Sequence, residues 1–534
     1  MESAYLIWLL VIPLIVSLVA VVANRIGGNV RPALEIIHML SVSAVLILVL
    51  IVAGQVLTSG EVTALNHWLR VDALGAIFVL IVGLVSFLAG LYSIGYTRHD
   101  LKIGELDPSR LIAYYGLFHF FFFTMLLAVT SNNIIIMWVA IEATTLSSAF
   151  LVGMYGTRPA LEAAWKYVVI CTVGVAFGLY GTILVYSDAV NVIKETAMAS
   201  LWTEIVKNAA ALDPTLMKLA FVFILIGFGT KAGIFPMYTW LPDTYSEAPS
   251  PVSAMLSGVL VNCTLFVVIR FSIIVNLTLG PAFTQTLFLV FGVLSLGTAV
   301  FFMLGQRDVN RLLAYSSPEN IGLILVAFGL GGPIGALAGL LQLVNHSLVK
   351  SMMFFLSGNI LMKYRSRSLD IVKGMMQAAP VTSFFLLGGA FALVGVPPFN
   401  IFLSKFMIIS AGIATGHLWL MVLCLLLLML AFFALFRMLS SVVLGEKPEN
   451  VTKGETGFTT LTPIVILMVL ILVLGVTMPT SLNTLLNGAT QVVNEGMPLA
   501  QSTGAVLTAN PFFSSLAPSN GQAFISLFSV QLSH

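Results

Sequence analysis

Five titratable side chains stand where long apolar runs leave little else to react: Glu142 in IIIMWVAIEATTLSSAFLV, Lys231 in GFGTKAGIFPMYTWLP, His346 and Lys350 in LLQLVNHSLVKSMMFF, and Lys405 in GVPPFNIFLSKFMII. Centring one carboxylate or ammonium in a membrane helix costs roughly 2.5–3.5 kcal/mol, so the four charged groups together cost about 10 kcal/mol. That sum rivals the stability of a whole domain. Such groups must be paired, solvated or used, and the chemistry open to them is proton transfer. A buried lysine exists charged or neutral according to its neighbours, and histidine titrates near neutrality. His346 and Lys350 are four residues apart, one turn along a single helical face, as two steps of a proton relay require.

Each group also has a plainer reading. Glu142, followed by Thr144, Thr145, Ser147 and Ser148, would serve as half of a structural ion pair. Lys231 and Lys405 would snorkel to an interface, and His346 would be a hydrogen-bonded core histidine. Glu319, in AYSSPENIGLI behind Pro318, is either a second buried acid or a carboxylate favouring a helix N-terminus. Lys166 reads as interfacial, with modulation of Glu142 as the alternative, and His119 in LFHFFFF as a packed or hydrogen-bonded ring.

The elements that must position these groups are membrane helices. Of 534 residues, 59% are hydrophobic and 9% charged, against roughly 25% charged in a soluble domain. Fourteen apolar windows of about the spanning length follow one another. Those carrying the reactive groups are 132–154, 163–186, 217–240, 251–273, 311–330, 334–360 and 381–413. The first window has no basic region before it and no small-residue cleavage site, and it reads as a retained helix. Alternate connections collect Lys and Arg, from Arg25 and Arg31 to Lys447 and Lys453, which places both termini away from the cytoplasm. The connection 187–216 breaks the alternation with Lys194 and Lys207 and reads as holding a surface helix. The stretch 480–534 is weakly apolar, too weak for a fifteenth span, and is expected to be partly irregular.

Cys171, Cys263 and Cys424 lie far apart with no CxxC spacing and no nearby histidine, which argues against zinc, haem or iron–sulfur ligation. No phosphate loop, HExxH or GxSxG is present. The chain is expected to hold no cofactor, no metal and no redox centre of its own. GIFPMYTWL from Gly233 and GVPPFNIFL from Gly395 share Gly, Pro and Leu at matching offsets. Paired Gly/Pro interruptions in two halves of a chain point to a transport site between inverted repeats.

The stretches LEAAWKYVVICTVGVAFGLYGT, FGTKAGIFPMYTWLPDTYSEAPSPVSAMLSGVLVNC, RLLAYSSPENIGLI, NHSLVKSMMFF and GVPPFNIFLSKF occur in this order. With them the chain resembles the antiporter-like subunits of respiratory complex I, multisubunit cation/proton antiporters and membrane-bound hydrogenases, most closely the hydrogenase-4 component F branch. The resemblance implies an all-α polytopic protein of about fourteen membrane helices. Residues 1–110 would hold spans 1–3, 111–273 and 274–443 two inverted five-helix repeats with spans 7 and 12 broken, and 444–534 span 14 and the uncharged tail. It implies Glu142 and Lys231 as an ion-pair couple, His346 and Lys350 as the central relay, and Lys405 as the terminal lysine. Three departures are visible: Asn262 stands at the lysine position of span 8, Tyr238 and Tyr245 replace histidines near spans 7 and 8, and Asn320 replaces one in span 10.

The function implied is proton translocation in a bacterial or archaeal cytoplasmic membrane, coupled to electron transfer in peripheral hydrogenase or dehydrogenase partners and alongside other membrane subunits. Nucleic acid is not an expected partner. A cation/proton antiporter or inorganic-carbon uptake subunit of the same fold is the alternative, and a non-conducting membrane scaffold a third.

Overall fold

A hydrocarbon solvent leaves backbone N–H and C=O groups no partner but each other, so apolar runs of this length fold as helices. The computed structural model describes residues 2–26 and 31–494. Its helices are α1 (Ala4–Ile26), α2 (Arg31–Ser59), α3 (Ala73–Ile103), α4 (Pro108–Thr130), α5 (Ile134–Val152), α6 (Arg158–Ile193), α7 (Trp202–Lys207), α8 (Pro214–Ala232), α9 (Leu241–Glu247) and α10 (Ser250–Met255). They continue as α11 (Val261–Leu279), α12 (Ala282–Gly305), α13 (Val309–Leu330), α14 (Gly332–Tyr364), α15 (Met375–Ala378), α16 (Pro380–Val394), α17 (Asn400–Ala414), α18 (Leu418–Val443), α19 (Phe458–Val476) and α20 (Thr480–Asn494). Among the described residues, thirteen helices are long and apolar enough to cross a membrane, counting α10 through α11 as one; α16 and α17 are shorter apolar helices. The protein is a multi-pass membrane protein. One hairpin, β1 (Glu61–Ala64) with β2 (Leu69–Asp72), joins α2 to α3.

Two interruptions shape the interior. Helix α8 stops at Ala232 because Gly233 takes the left-handed conformation (φ 81°), and regular helix resumes only at Leu241. Helix α16 stops at Val394 with Gly395 at φ 89°, and α17 begins at Asn400. Glycine alone adopts such angles without strain. The window 381–413 is therefore two helices meeting at a break. Pro318, by contrast, does not interrupt α13, which leaves Glu319 in mid-helix rather than near a helix start. One π turn, Leu256–Leu260, separates α10 from α11, a distortion common at functional sites.

Helix α14 is the hub, touching α3, α10, α13, α16, α17, α19 and α20. Small residues let neighbours approach: a Cβ on Gly258 would meet Ser351 Oγ at 2.3 Å, and one on Gly227 would meet the backbone of Gly178 at 2.2 Å. Within the stretch 480–534, expected to be partly irregular, Thr480–Asn494 is a regular helix. Its apolar face, with Leu485, Leu486, Ala489 and Val493 buried, packs on α3 and α14. A one-sided helix averages to weak hydropathy, which hid it in the sequence. Residues 495–534 lie outside those described. The connection 187–216 does contain a helix, the short α7, whose Trp202 is buried.

Candidate functional site

Each reactive group sits on a helix packed against the next. Contacts run from α5 to α6, α6 to α8, α8 to α11, the π turn to α14, α14 to α13, and α13 to α17. Glu142 (α5), Lys231 (α8), Asn262 (α11), His346 and Lys350 (α14), Glu319 (α13) and Lys405 (α17) follow this sequence of contacts.

Lys231, fully buried, donates to the Ile141 carbonyl at 2.5 Å and to the Thr145 hydroxyl. No ion pair joins it to Glu142 among the described residues. The half-buried Glu142 accepts from Thr172 at 3.1 Å through Oε1, and its Oε2 has no hydrogen-bond partner. Lys231 therefore does not snorkel. It stands in the last turn of α8, one residue before its end, where a cation is favoured, and Trp240 Nε1 caps the Thr230 carbonyl at 2.9 Å.

Asn262 donates to Ser347 Oγ at 2.6 Å and to the Gly258 carbonyl at 2.9 Å, linking α11 to α14. Lys350 donates to the Leu313 carbonyl and to Ser316 Oγ (2.8 Å), and its ammonium lies 5.1 Å from the centre of the Phe354 ring. His346 is fully buried and neither ring nitrogen has a partner. Residues 345–347 point about 100° apart around α14. Ser347 thus faces Asn262, Asn345 faces α17, and His346 lies between the two.

The α17 side is a closed hydrogen-bonded set. Lys405 pairs with Glu319 Oε1 at 3.3 Å and donates to the Leu393 and Val394 carbonyls, which end α16. Asn320 donates to Glu319, Gln342 to Asn320 (2.7 Å), Ser404 to Gln342 (2.6 Å) and Asn345 to Ser404 (3.0 Å). Asn400 completes it by donating to Asn345 Oδ1 at 2.9 Å. Gly395 makes room, since a Cβ there would lie 3.2 Å from the Lys405 stem.

Lys166 is not brought to Glu142. It binds Asp243 of α9, which also takes Arg311 of α13, at a cavity near the helix ends. Tyr238 packs edge-on to Tyr315, while the Tyr245 hydroxyl is buried without a partner.

Three sets of partners escaped the sequence reading. His119 bonds His38 of α2 (2.9 Å), whose other nitrogen faces the Gly90 carbonyl. Amides Gln342, Asn345 and Asn400 form the α17 network, and polar residues inside an apolar window were the available signal. Arg270 makes a bidentate bond to Asp72 (2.7 and 2.7 Å), lies over Trp202 and ties the hairpin, α3, α7 and α11 together. Burial raises the Asp72 pKa, but the charges of Arg270 and Arg70 outweigh it and hold the carboxyl well below its usual range.

The described family model "NADH:quinone oxidoreductase/Mrp antiporter, TM" matches residues 131–431, and "NADH-Ubiquinone oxidoreductase (complex I), chain 5 N-terminus" matches 57–104. Among relatives, a hydrogenase-4 component F homolog of Methylacidiphilum infernorum is 38% identical over 353 residues, covering 65% of this chain and 73% of that protein. Among solved structures, a chain of an archaeal membrane-bound sulfane sulfur reductase, a respiratory membrane complex, superposes with TM-score 0.81 at 26% identity, covering 92% of this chain and 98% of that one. A chain of the Mrp complex from Dietzia sp. DQ12-45-1b shares the fold, with TM-score 0.79 at 19% identity over 93% and 98% of the two chains.

Proposed function

We propose that this chain, which belongs to the NADH:quinone oxidoreductase/Mrp antiporter transmembrane family, is the proton-translocating membrane subunit of a hydrogenase-type redox complex. Its relatives of that family serve multi-subunit membrane complexes. The hydrogenase assignment rests on the component F homolog, and the partners would be further membrane subunits with peripheral redox subunits.

The observation that carries the translocation reading is the row of buried titratable groups on consecutively packed helices. Lys231 and Lys350 have no carboxylate in contact; each has a carbonyl and a hydroxyl instead. An ammonium donates to both. A neutral amine donates to the carbonyl and accepts from the hydroxyl, so the same cradle serves both protonation states. Lys405 against Glu319 is the opposite case, an amine in contact with a carboxylate. Unpartnered buried atoms, Glu142 Oε2, Asn262 Oδ1 and both His346 nitrogens, fall where the hydrogen-bonded stretches fail to join. Water bridging there would make the row continuous.

In this reading, redox chemistry in a partner displaces charge near Glu142, changes the proton affinity of Lys231, and passes the change through His346 and Lys350 to Lys405. The reading takes 111–273 and 274–443 as two inverted repeats, with the breaks after Ala232 and Val394 as their matching interruptions, and has both termini on the non-cytoplasmic side, for which the alternating loop charges are the support. An antiporter complex is the second reading, favoured by the Mrp part of the family description. Sodium-dependent proton movement without a redox partner would select it.

The test is proton movement in vesicles containing the assembled complex. Lys231→Ala and Glu142→Gln are each expected to abolish it with assembly intact. Undiminished pumping in both would overturn the assignment.

A further inference from the structure

We infer that the cavity beside Lys166 is the intake mouth of the proton path, and that the hydroxyls of Tyr167 and Ser148 carry the proton from its floor to Lys231. The inference rests on the translocation reading and adds what that reading lacks, a connection from the row to the surface.

The cavity measures about 360 Å³ and is lined by Glu162, Ala163, Lys166, Asp243, Ser246 and Arg311, among others. It lies where α6, α9 and the start of α13 meet. Asp243 binds both Lys166 and Arg311, so the two cations are drawn to one carboxylate, and Glu162, Glu247 and Asp308 are the other acids of the wall. Two helices lead inward from it. On α9, Ser246 lines the cavity and its Oγ is buried without a partner, as is the hydroxyl of the neighbouring Tyr245. On α6, Ala163 lines the cavity and Tyr167 lies one turn deeper on the same face. Both tyrosine rings pack against Trp240, with centroids 4.7 Å (Tyr167) and 5.9 Å (Tyr245) away.

Tyr167 is fully buried, and its hydroxyl lies 2.8 Å from Ser148 Oγ. Ser148 follows Thr145 by one turn of α5, and Thr145 holds the Lys231 ammonium. A turn is about 5 Å, the span one bridging water covers. The transfer balances as a chain of exchanges. A hydronium in the cavity gives up its proton, becoming water, and a second water past Ala163 relays it to Tyr167 Oη, which passes its own proton to Ser148 Oγ. Ser148 passes its own through the bridging water to the neutral Lys231 amine, and the hydroxyls are returned unchanged.

The experiment uses the intact complex in vesicles with a pH-sensitive dye. Tyr167→Phe removes one oxygen and leaves the ring on Trp240, and Ser148→Ala removes the other hydroxyl. Each is expected to slow proton translocation about a hundredfold, the lower end of what a positioned proton-transfer group contributes. Ser148→Thr, which keeps a hydroxyl, is expected to restore it. If Lys231→Ala blocks translocation while Tyr167→Phe and Ser148→Ala run at the wild-type rate, the mouth lies elsewhere and the translocation reading stands. If Lys231→Ala also has no effect, that reading falls with it. Glu162→Cys, at an exposed position on the cavity wall, checks the mouth independently: a membrane-impermeant maleimide is expected to label it and to block translocation. A cysteine that stays unlabelled in the assembled complex overturns the assignment.

Discussion

Lys231 and Lys350 are held in the same way: each ammonium reaches a neighbouring helix and grips a backbone carbonyl together with a hydroxyl three or four residues along, Ile141 with Thr145 and Leu313 with Ser316. The two lysines lie in different halves of the chain and contact different helices. The shared element is a cradle whose hydroxyl can donate or accept while its carbonyl only accepts. That is the arrangement a group needs if it must be stable with and without its extra proton.

Removing the adaptable member of each cradle should therefore bias the lysine without removing it. Thr145→Val and Ser316→Ala leave the carbonyls in place and cost about 1–3 kcal/mol in hydrogen bonding. The expected outcome is an assembled complex with proton translocation slowed at least about tenfold, roughly the rate equivalent of 1.4 kcal/mol. Thr145→Ser should behave as wild type. Initial rates of dye quenching in vesicles measure this, and equal rates for valine and serine at 145 would remove the cradle from the mechanism.

Glu319 and Lys405 call for the opposite test, since each neutralises the other. Glu319→Gln leaves a buried ammonium with only the ends of α16, and breaking such a pair costs about 3–5 kcal/mol. The single variant is expected to lower the unfolding temperature. The double variant Glu319→Gln with Lys405→Met should regain much of that loss while remaining unable to pump. Recovery of pumping along with stability would make the pair a structural clasp.

Asp72 and Arg270 form a clasp outside the row of lysines, and their effect should appear in stability as a function of pH. The Asp72 carboxyl is held below its usual range in the folded state, because the charges of Arg270 and Arg70 outweigh the effect of burial. The stability it contributes is thus fully present above the unfolded value, near pH 4, and is lost as pH falls toward the folded value. Arg270→Met should lower thermal stability across neutral pH and flatten the fall on the acid side. The check is a set of melting curves of wild type and variant from neutral pH to below pH 4.

The sequence made the helices and the isolated charges legible for one reason: lipid penalises both an unpaired backbone and an unpaired ion. Glu142, Lys231, Lys350 and Lys405 stood out against apolar windows, and Gly233 and Gly395 marked the breaks. What stayed hidden depended on partners. Asp72 and Arg270 each lie near the end of a window, where a charge is unremarkable, and only the packing of α3 against α11 brings them together. His119 reads as a packed or hydrogen-bonded ring, but its partner, His38, is known only once α2 is placed beside it. Helix α20 escaped because its apolar residues occupy one face and average out against the other.

The last prediction concerns what fixes the break before α17. Gly475 of α19 sits directly against it: a Cβ there would lie 1.9 Å from the Pro398 carbonyl oxygen and 2.8 Å from the Asn400 nitrogen. These are backbone atoms that no rotamer change can move, so Gly475→Ala must shift either α19 or the break itself. Overpacking of this kind costs about 1–3 kcal/mol. The break leads straight into Asn400, Ser404 and Lys405, so the strain falls on the hydrogen-bonded set that surrounds Glu319. The expected result is a complex that assembles, melts at a lower temperature and translocates protons several-fold more slowly. Gly54→Ala in α2 is the matched control, because its Cβ would meet nothing within 4 Å and alanine favours the helix by roughly 0.5–1 kcal/mol. It should leave translocation unchanged. Equal pumping in the two variants would mean that α19 does not position the break, and that Lys405 is held by its partners on α13 and α16 without it.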